Sequence, residues 1–397
     1  MTAQGPLHGV RVVDLTTAVL GPVATQHLGD LGADVIKVET PQGDFMRQLG
    51  PERHPGMAAY FLHINRNKRS VVLDLKQPAQ RAVLLELIAT ADVFVHNMRL
   101  GAAERLGLDY ASLAEPNPRL VHASATGFNR DGPQRDRPAY DDIIQGESGL
   151  AALNAGPDGA PRYLPMAMCD KLVGQALASA IGMALFARER TGFGQEVHVP
   201  MLETMLAFNL VDHLWHGVLD EPEKGLGYPR MFTPHRRPYA TSDGYICLMA
   251  TTDEQWRRLL PALGRADLLH DPRFSSVAQR TTHIDAVYGA ITQSMRERST
   301  AEWLQRLAEA DVPHGVLHTL QDIVADPYLW DTGFFQRVQH PTEGRMIATA
   351  PTTHFSATPA SLRRSAPGLG QHTREVLAEL GRSAVEIEAI CGAGGTA

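Results

Sequence analysis

Asp170 is the residue whose type and position most favour covalent chemistry in this sequence. It stands in the segment MCDKLVG (168–174), directly ahead of a helical pattern that runs to about Arg188. A carboxylate at the N-terminal end of a helix faces unpaired N–H groups and the positive end of the helix dipole, so we expect it to stay ionised and to be available as a nucleophile. Aspartate is also an ordinary helix-capping residue, so this segment alone leaves both interpretations open.

The other candidate binding residues are basic. Arg66-Asn67-Lys68-Arg69 precedes a predicted strand, and Lys76 follows that strand. Such a cluster suits either a solvated strand end or the phosphates of a polyphosphate ligand. The triplet His235-Arg236-Arg237 suits either a substrate carboxylate or a solvated linker. The 17 histidines have no ligand-like spacing in the predicted helices, so we expect no metal site.

A nicotinamide cofactor is disfavoured by the first loop. The chain begins as strand, loop and helix, and it places Glu39 at the end of the second strand, where a ribose-binding acid would stand. The loop Thr16–Pro22 lacks the G-x-G-x-x-G spacing that brings backbone against a pyrophosphate. The sequence therefore predicts no dinucleotide site here.

The elements that must position these residues alternate between strand and helix over the first half of the chain. Short β-branched runs predict strands at Val10–Leu15, Asp34–Val38, Ser70–Leu73, Asp92–Val95, Leu120–Ala125 and Glu196–Val199. Helical patterns between them, such as Gln80–Ala91, indicate a doubly wound α/β domain with a parallel sheet. The helix that follows Asp170 has apolar or small residues on several sides, so we expect it in the core of that domain.

The predicted domain organisation has two globular parts. A large α/β domain covers 1–200, with a returning segment at 345–397. A linker helix and loop occupy 201–237, a small α+β domain occupies 238–327, and a return linker occupies 328–344. The small domain is predicted from two strands around an Asp-Gly turn in Pro238–Leu248 and from helices near 254–263, 284–295 and 300–310.

Composition excludes several classes of partner. A net charge of −7 disfavours nucleic acid, because phosphate backbones are bound by net basic surfaces. No segment reads as an apolar run long enough to span a bilayer, and the first residues lack the pattern of a secretory signal. The 3 cysteines are few and widely spaced, as is usual in a reducing compartment. We therefore expect a cytoplasmic protein without a membrane or nucleic-acid partner.

Several segments together resemble family III CoA transferases, a group that includes formyl-CoA transferases and is related to α-methylacyl-CoA racemases. These segments are LGDLGADVIKVE (28–39), NKRSVVLDLK (67–76), NPRL (117–120), TGFGQEV (191–197) and GQHTREVL (370–377). The resemblance implies a fold that periodicity does not predict: a Rossmann-like large domain and a small α+β domain, with two chains threaded through each other as an interlocked homodimer.

The resemblance also implies roles for the residues around Asp170. Asp170 matches the catalytic aspartate, and Tyr140 matches a tyrosine of the transferases that is replaced by histidine in the racemases. Asp141 matches the acidic neighbour in both. Ala18 and Val19 stand where formyl-CoA transferases have a Val-Gln pair, so we place both in the substrate pocket.

A second set of residues is implied along the path of coenzyme A. The matching positions are Leu73, Lys76, Asn97 and Arg105, and we group Arg69 of the basic cluster with them. The chain departs from the family at Thr40, where an arginine is expected near the adenine end. The glycine-rich loop of formyl-CoA transferases is also missing between Gly225 and Pro238, which weighs against formate or oxalate as substrates.

The function that the resemblance implies is transfer of CoA from an acyl-CoA, with succinyl-CoA a frequent donor, to a free carboxylic acid. Coenzyme A then enters as part of a substrate, and no cofactor is permanently bound. Two alternatives remain: an acyl-CoA racemase or epimerase that exchanges the α-proton, and a catalytically silent CoA-binding protein in which Asp170 only caps a helix. The ordinary pKa of tyrosine, about 10, makes Tyr140 a poorer base than the histidine of racemases.

Overall fold

The structure, a computed structural model, describes residues 5–156 and 158–392. The first residues, on which the expectation of no secretory signal rests, and the end of the predicted return segment lie outside that range. The chain divides into two compact units: Met1–Asn209 with Trp330–Ala397, and Leu210–Leu329. The division falls within the predicted linker helix, since Met201 and Met205 of that helix belong to the core of the larger unit.

A six-stranded parallel sheet forms the centre of the larger unit. Its strands are β1 (Arg11–Leu15), β2 (Asp34–Glu39), β3 (Lys68–Val72), β4 (Val93–His96), β5 (Val121–Thr126) and β6 (Gln195–Pro200). Their spatial order is β3-β2-β1-β4-β5-β6, so the sheet is doubly wound as predicted. Because the direction of winding reverses between β1 and β4, the loops after these two strands leave a crevice at the carboxyl edge of the sheet, where ligands of such folds bind.

Helices connect the strands and cover the sheet. They are α1 (Leu20–Asp30), α2 (Ala59–Ile64), α3 (Pro78–Ala89), α4 (Leu100–Leu106), α5 (Tyr110–Ala114), α6 (Asp141–Glu147), α7 (Leu150–Leu153), α8 (Met168–Thr191) and α9 (Met201–His213). α3 begins with proline in its first turn, where the missing N–H removes no hydrogen bond. The short α2 has no counterpart in the helical patterns of the sequence.

The smaller unit is an α+β fold, as the sequence predicts. A three-stranded antiparallel sheet is formed by β7 (Tyr239–Ala240), β8 (Tyr245–Leu248) and β9 (His314–Val316), with β7 and β8 flanking the predicted Asp-Gly turn. The helices are α10 (Pro229–Phe232), α11 (Asp253–Ala262), α12 (Val277–Thr282), α13 (Ile284–Met295), α14 (Thr300–Glu309) and α15 (Leu320–Ala325), and the division of the chain falls within α16 (Pro327–Asp331). Its core is centred on Trp303, whose indole N–H donates to the carbonyl of Met295 at 2.8 Å.

The return of the chain differs from the prediction. Most of the segment predicted as a linker, together with the residues after it, forms the antiparallel hairpin β10 (Phe335–His340) and β11 (Gly344–Thr349). Two helices follow in the return segment, α17 (Thr373–Glu379) and α18 (Ala384–Gly392). The hairpin was missed because its strands are largely exposed and carry arginines and glutamines in place of a regular apolar alternation.

α8 packs closely against α1. A Cβ atom added at Gly174 would lie 2.6 Å from the carbonyl oxygen of Leu20, so only glycine lets the two helices approach this far. Val173, Leu177 and Ile181 are fully buried in the same core cluster as Leu20. This contact fixes the N-terminal end of α8 beside the N-terminal end of α1.

The expectation that no segment could span a membrane needs a correction. By length and composition alone, α8 is long and apolar enough to do so. Core helices of globular domains pass the same test, and the buried residues of α8 pack in a cluster with strands β1, β4 and β5. Small residues such as Gly174 and Gly182 interrupt its apolar positions, which is why inspection of the sequence did not find a continuous apolar run.

Candidate active site

Asp170 is the third residue of α8, and it lies next to a second carboxylate. Its backbone N–H donates to the side chain of Asp141 at 3.0 Å. Asp141, the first residue of α6, is buried and also accepts from the side-chain amide of Gln145 at 2.6 Å. The structure thus brings together two of the residues that the family resemblance assigned to one site. Ala167 precedes α8 without any side-chain cap, and Asp141 instead accepts from an N–H group in the first turn of the helix.

The electrostatics of Asp170 differ from the expectation for a helix start. Burial, and then the negative charge of Asp141, raise the pKa of the Asp170 carboxyl from 3.8 to about 7, and the charge of Lys171 opposes this increase. The expected stabilisation of the ionised form by the helix end is therefore outweighed. Within residues 5–156 and 158–392, no hydrogen bond or ion pair engages the carboxyl oxygens of Asp170. The group is poised between its acid and its carboxylate forms near neutral pH.

Tyr60 is a residue of this site that sequence reasoning missed. Burial, followed by the charges of Asp170 and Asp141, raises the pKa of its hydroxyl, which indicates that the ring stands close to both carboxylates. It lies on α2 and packs with Val19 and Phe61 in a small apolar cluster. Because α2 has only 6 residues, no periodic pattern marks it in the sequence, and neither a motif nor a charge distinguishes Tyr60.

The loop after β1 forms another wall of the site. Thr17 and Asn97 exchange two hydrogen bonds: the backbone N–H of Thr17 donates to Asn97 Oδ1 at 3.0 Å, and Asn97 Nδ2 donates to the Thr17 carbonyl at 2.8 Å. Asn97 directly follows β4, so this pair spans the crevice where the winding of the sheet reverses. Ala18 is held at a φ of 66°, and Val19 is buried where α1 begins.

Buried charged side chains hold the loop after β1 in place. Lys37 Nζ donates to the carbonyl of Thr16 at 2.8 Å and to Asp44 Oδ2 at 3.0 Å. The other oxygen of Asp44 accepts from the backbone N–H of Ala18 at 3.3 Å. Both charged side chains are fully buried. A left-handed alanine is strained, and these contacts over-determine its conformation.

The residues predicted to bind coenzyme A fall into two groups. Lys76 and Arg105 are exposed, and Asn97 is half-buried at the crevice, so all three are accessible to a ligand. Leu73 directly follows β3 and its side chain is fully buried in the core behind the sheet. Only the backbone of Leu73 is therefore available, and its N–H donates to the carbonyl of Glu39 at 2.9 Å.

Arg69 requires a correction, because its charge is neutralised inside the protein. Its buried guanidinium forms ion pairs with Asp34 at 2.6 Å, Glu375 at 2.9 Å and Glu379 at 2.6 Å. These partners hold α17 against β3. Arg69 is thus a structural residue, and we leave it out of the CoA site proposed below.

The rest of the basic cluster is also internal. Lys68 is fully buried, and burial lowers its pKa to about 8 although the charge of Asp14 opposes the change. Arg66 is bound to Asp30 at 2.7 Å. Neither interpretation of the cluster from the sequence, a solvated strand end or a phosphate site, describes what these side chains do.

Tyr140 stands immediately before α6, with its side chain 67% exposed. The residue after it, Asp141, is the one that contacts the Asp170 backbone. Arg236 and Arg237 belong to the smaller unit. Within the described parts of the chain, no group of three or more His, Cys, Asp and Glu side chains is placed to hold a metal ion.

The fold and the site define a doubly wound α/β protein in which the N-terminal end of a core helix brings an unpaired carboxylate to the crevice of the sheet. Comparison with known proteins gives the family. The model of CoA-transferase family III matches residues 7–373, and the chain belongs to this family. Its six-stranded parallel sheet is that of family III enzymes of known structure.

Relatives agree with this assignment over nearly the whole chain. A succinate–glutarate CoA-transferase of Agrobacterium fabrum is 35% identical over 387 residues, which cover 94% of this chain and 96% of the relative. An acetyl-CoA:oxalate CoA-transferase of Acetobacter aceti is 37% identical over 324 residues, 79% of this chain and 81% of the relative. A crystal structure of a CAIB/BAIF family protein from Brucella suis superposes with a TM-score of 0.78 at 32% identity, covering 95% of this chain and 100% of that one.

Proposed function

We propose that this protein transfers CoA from an acyl-CoA to a free carboxylic acid, with Asp170 as the covalent nucleophile. The observation that carries the mechanism is the state of the Asp170 carboxyl group. It is half-buried beside Asp141, its pKa is raised to about 7, and no cation within the described residues neutralises it by direct contact. A structural helix cap would hydrogen-bond to backbone N–H groups of its own helix, and no such bond is formed.

The reaction proceeds by exchange of acyl groups on Asp170. An ionised Asp170 oxygen attacks the thioester carbonyl, the C–S bond breaks, and CoA leaves as a thiolate with a mixed anhydride remaining on Asp170. The thiolate then attacks the Asp170 carbonyl carbon, and the donor acid leaves as a carboxylate. The acceptor carboxylate attacks the resulting aspartyl thioester and releases CoA thiolate again. This thiolate finally attacks the acyl carbon of the acceptor, so that acyl-CoA forms and Asp170 is regenerated.

The chain supplies what these steps need. The conjugate acid of the CoA thiolate resembles cysteine, with a pKa of about 8.5, so the leaving group requires no strong general acid. Each tetrahedral intermediate carries an oxyanion, and we expect a loop N–H group to stabilise it, because the N–H groups of Met168, Asp170 and Lys171 at the start of α8 already donate to other acceptors. Burial keeps bulk water from Asp170, which limits hydrolysis of the anhydride and the thioester.

The path of CoA is proposed to run across the carboxyl edge of the sheet. Lys76 and Arg105 are exposed cations of the larger unit, and Asn97 is half-buried at the crevice. In a protein of net charge −7, these cations supply local positive charge for the phosphates of CoA. The backbone of Leu73, at the end of β3, completes the proposed set.

We further propose succinyl-CoA as the donor and a short dicarboxylic acid as the acceptor. The support is the succinate–glutarate CoA-transferase relative, which covers nearly all of this chain. The acetyl-CoA:oxalate CoA-transferase relative, with its higher identity over a shorter stretch, makes oxalate the competing acid to test first. A panel of acyl-CoA donors against free acids, read by mass spectrometry, identifies the pair. CoA binding without any acyl exchange would instead indicate a silent CoA-binding protein.

The proposed interlocked homodimer is supported by exposed apolar residues on and next to a core helix. Met183 and Phe186 on α8 are 66% and 62% exposed, and Phe193 just beyond it is 67% exposed. A second chain that covered them would remove this apolar surface from water. Light scattering should give about twice the chain mass of 43.3 kDa, and a stable active monomer would contradict the dimer.

One observation favours a second candidate, proton exchange at the α-carbon of an acyl-CoA. A carboxylate with a pKa of about 7 is a suitable general base at neutral pH, and Asp170 has that pKa. Incubation of a 2-methylacyl-CoA in deuterated water distinguishes the two reactions. A transferase exchanges CoA without incorporating deuterium at comparable rates. Fast incorporation in the absence of any acid acceptor would indicate a racemase.

A further inference from the structure

A large cavity opens beside the N-terminal end of α8, entirely within the larger unit. Its volume is about 1240 Å³, and its walls are formed by α2 with the residues before it and by the hairpin β10–β11. This exceeds the volume of a small acid, so the cavity can admit an acyl group together with its charged end. Lys171 and Tyr60 both line it, which places it against the residues that surround Asp170.

The cavity carries an excess of uncompensated positive charge. Lys171, Arg337 and Arg345 line it, their side chains are exposed, and none of them forms an ion pair within the described residues. The guanidinium of Arg337 stacks on the ring of Trp330, 4.1 Å from its centroid, which leaves its N–H groups available at the rim. A set of free cations around one cavity is unusual in a chain of net charge −7.

The remaining charges of the cavity do not cancel this excess. The guanidinium of Arg53 donates to the backbone carbonyls of Glu343 and Arg345, so its charge meets no carboxylate. Glu343 is buried and is bound by Thr342 and by His54, at 2.8 Å and 3.0 Å. The cavity therefore offers an anionic ligand several cations against two acidic groups: Glu343, and Glu52, which accepts a bond from the backbone of Gly56.

We propose that this cavity is the acid-binding pocket, and that Lys171, Arg337 and Arg345 bind the second carboxylate of a dicarboxylic acid while its first carboxylate reacts at Asp170. This inference rests on the proposed CoA transfer and adds the residues that select the acid. A second negative charge close to Asp170 and Asp141 would be repelled unless cations met it, and the cavity supplies them. A monocarboxylic acid of the same length would gain nothing from these residues.

The test compares acids of equal chain length, glutarate against pentanoate and succinate against butanoate. Arg337→Gln with Arg345→Gln, and separately Lys171→Gln, should lower the ratio of kcat/KM for the dicarboxylate to kcat/KM for the monocarboxylate by about tenfold or more. The loss should shrink at high ionic strength, because exposed charges are screened by salt. Arg119→Gln is the matched control, since this exposed arginine of the same unit pairs with Glu189 far from the cavity lining, and both ratios should stay unchanged.

Three outcomes would overturn the proposal: an unchanged ratio, an equal loss for both kinds of acid, or a change of oligomeric state in the variants. Failure of CoA transfer itself is recognised separately. If the wild-type protein transfers CoA to no acid, calorimetric titration with glutarate still measures the cavity directly. Binding that is lost in the Arg337→Gln/Arg345→Gln protein and kept in Arg119→Gln then supports the pocket, and equal binding by all three proteins refutes it.

Discussion

Replacing Asp170 with asparagine is expected to stabilise the protein while it abolishes turnover. Asparagine keeps the shape of the side chain and removes a charge that the fold does not compensate. An increase in pKa from 3.8 to about 7 means that the folded protein resists ionisation of this carboxyl. At about 1.4 kcal/mol for each pH unit, the ionised form costs up to about 4 kcal/mol of folding free energy.

The sign of the pH dependence follows from proton binding. Between about pH 4 and pH 7, Asp170 holds its proton in the folded protein and has lost it in the unfolded chain, so the stability of the wild-type protein falls as pH rises. Above about pH 7 both states are ionised and the cost is constant. The Asp170→Asn protein has no carboxyl group to ionise at this position. The stability that it gains over wild type should therefore be near zero at about pH 4 and reach its maximum by about pH 8.

Denaturant unfolding of both proteins at several pH values measures the difference. Asp285→Asn is the matched control, because Asp285 also lies in the first turn of a helix, α13, but is exposed. Its effect should be small and nearly independent of pH. Turnover of the Asp170→Asn protein should fall at least about a thousandfold, or about 4 kcal/mol in the activation barrier. A stability difference that is flat between pH 4 and 8, or turnover near the wild-type rate, would refute the reasoning.

Other changes test the remaining parts of the site. Lys76→Ala should weaken CoA binding and flatten its salt dependence with little effect on kcat, and unchanged affinity at low ionic strength would remove it from the CoA path. Lys37→Met should lower the free energy of unfolding by about 3–5 kcal/mol, because it leaves Asp44 buried without its partner. The double change Lys37→Met/Asp44→Leu should lower it by less, and an equal loss would exclude coupling between the two side chains. The rate kcat/KM should rise with pH through about 7 as Asp170 ionises, and Asp141→Asn should move the midpoint lower; a midpoint that does not move would exclude Asp141 as a cause.

The sheet and the position of Asp170 could be predicted because both depend on local patterns. Each strand of the parallel sheet is a short β-branched run, and α8 can be recognised in the sequence by its length and by the spacing of its small residues. The neighbourhood of Asp170 and Asp141 came from family motifs, since their separation of 29 residues has no periodic signature.

The basic cluster and the acid cavity could not be predicted, because their contacts join distant parts of the chain. Two partners of Arg69 are about 300 residues away on α17, and the residue type alone does not tell whether an arginine meets a phosphate or a glutamate. Tyr60 and Arg337 are far apart in the sequence, and they line the same cavity only because the hairpin β10–β11 belongs to the larger unit. The sequence therefore predicted the position of Asp170, the proposed nucleophile, but not the residues that surround it.

The close contact between Gly174 and the carbonyl of Leu20 lies one helical turn from Asp170, the proposed nucleophile. A change at this contact would therefore also move Asp170. A methyl group there meets backbone, which cannot rotate away as a side chain can, so the helix itself must tilt. The carboxyl group of Asp170 would then change its position without any change in its chemical nature. A mutational scan scored by activity would mark Gly174 as if it took part in the chemistry, although it carries no functional group at all.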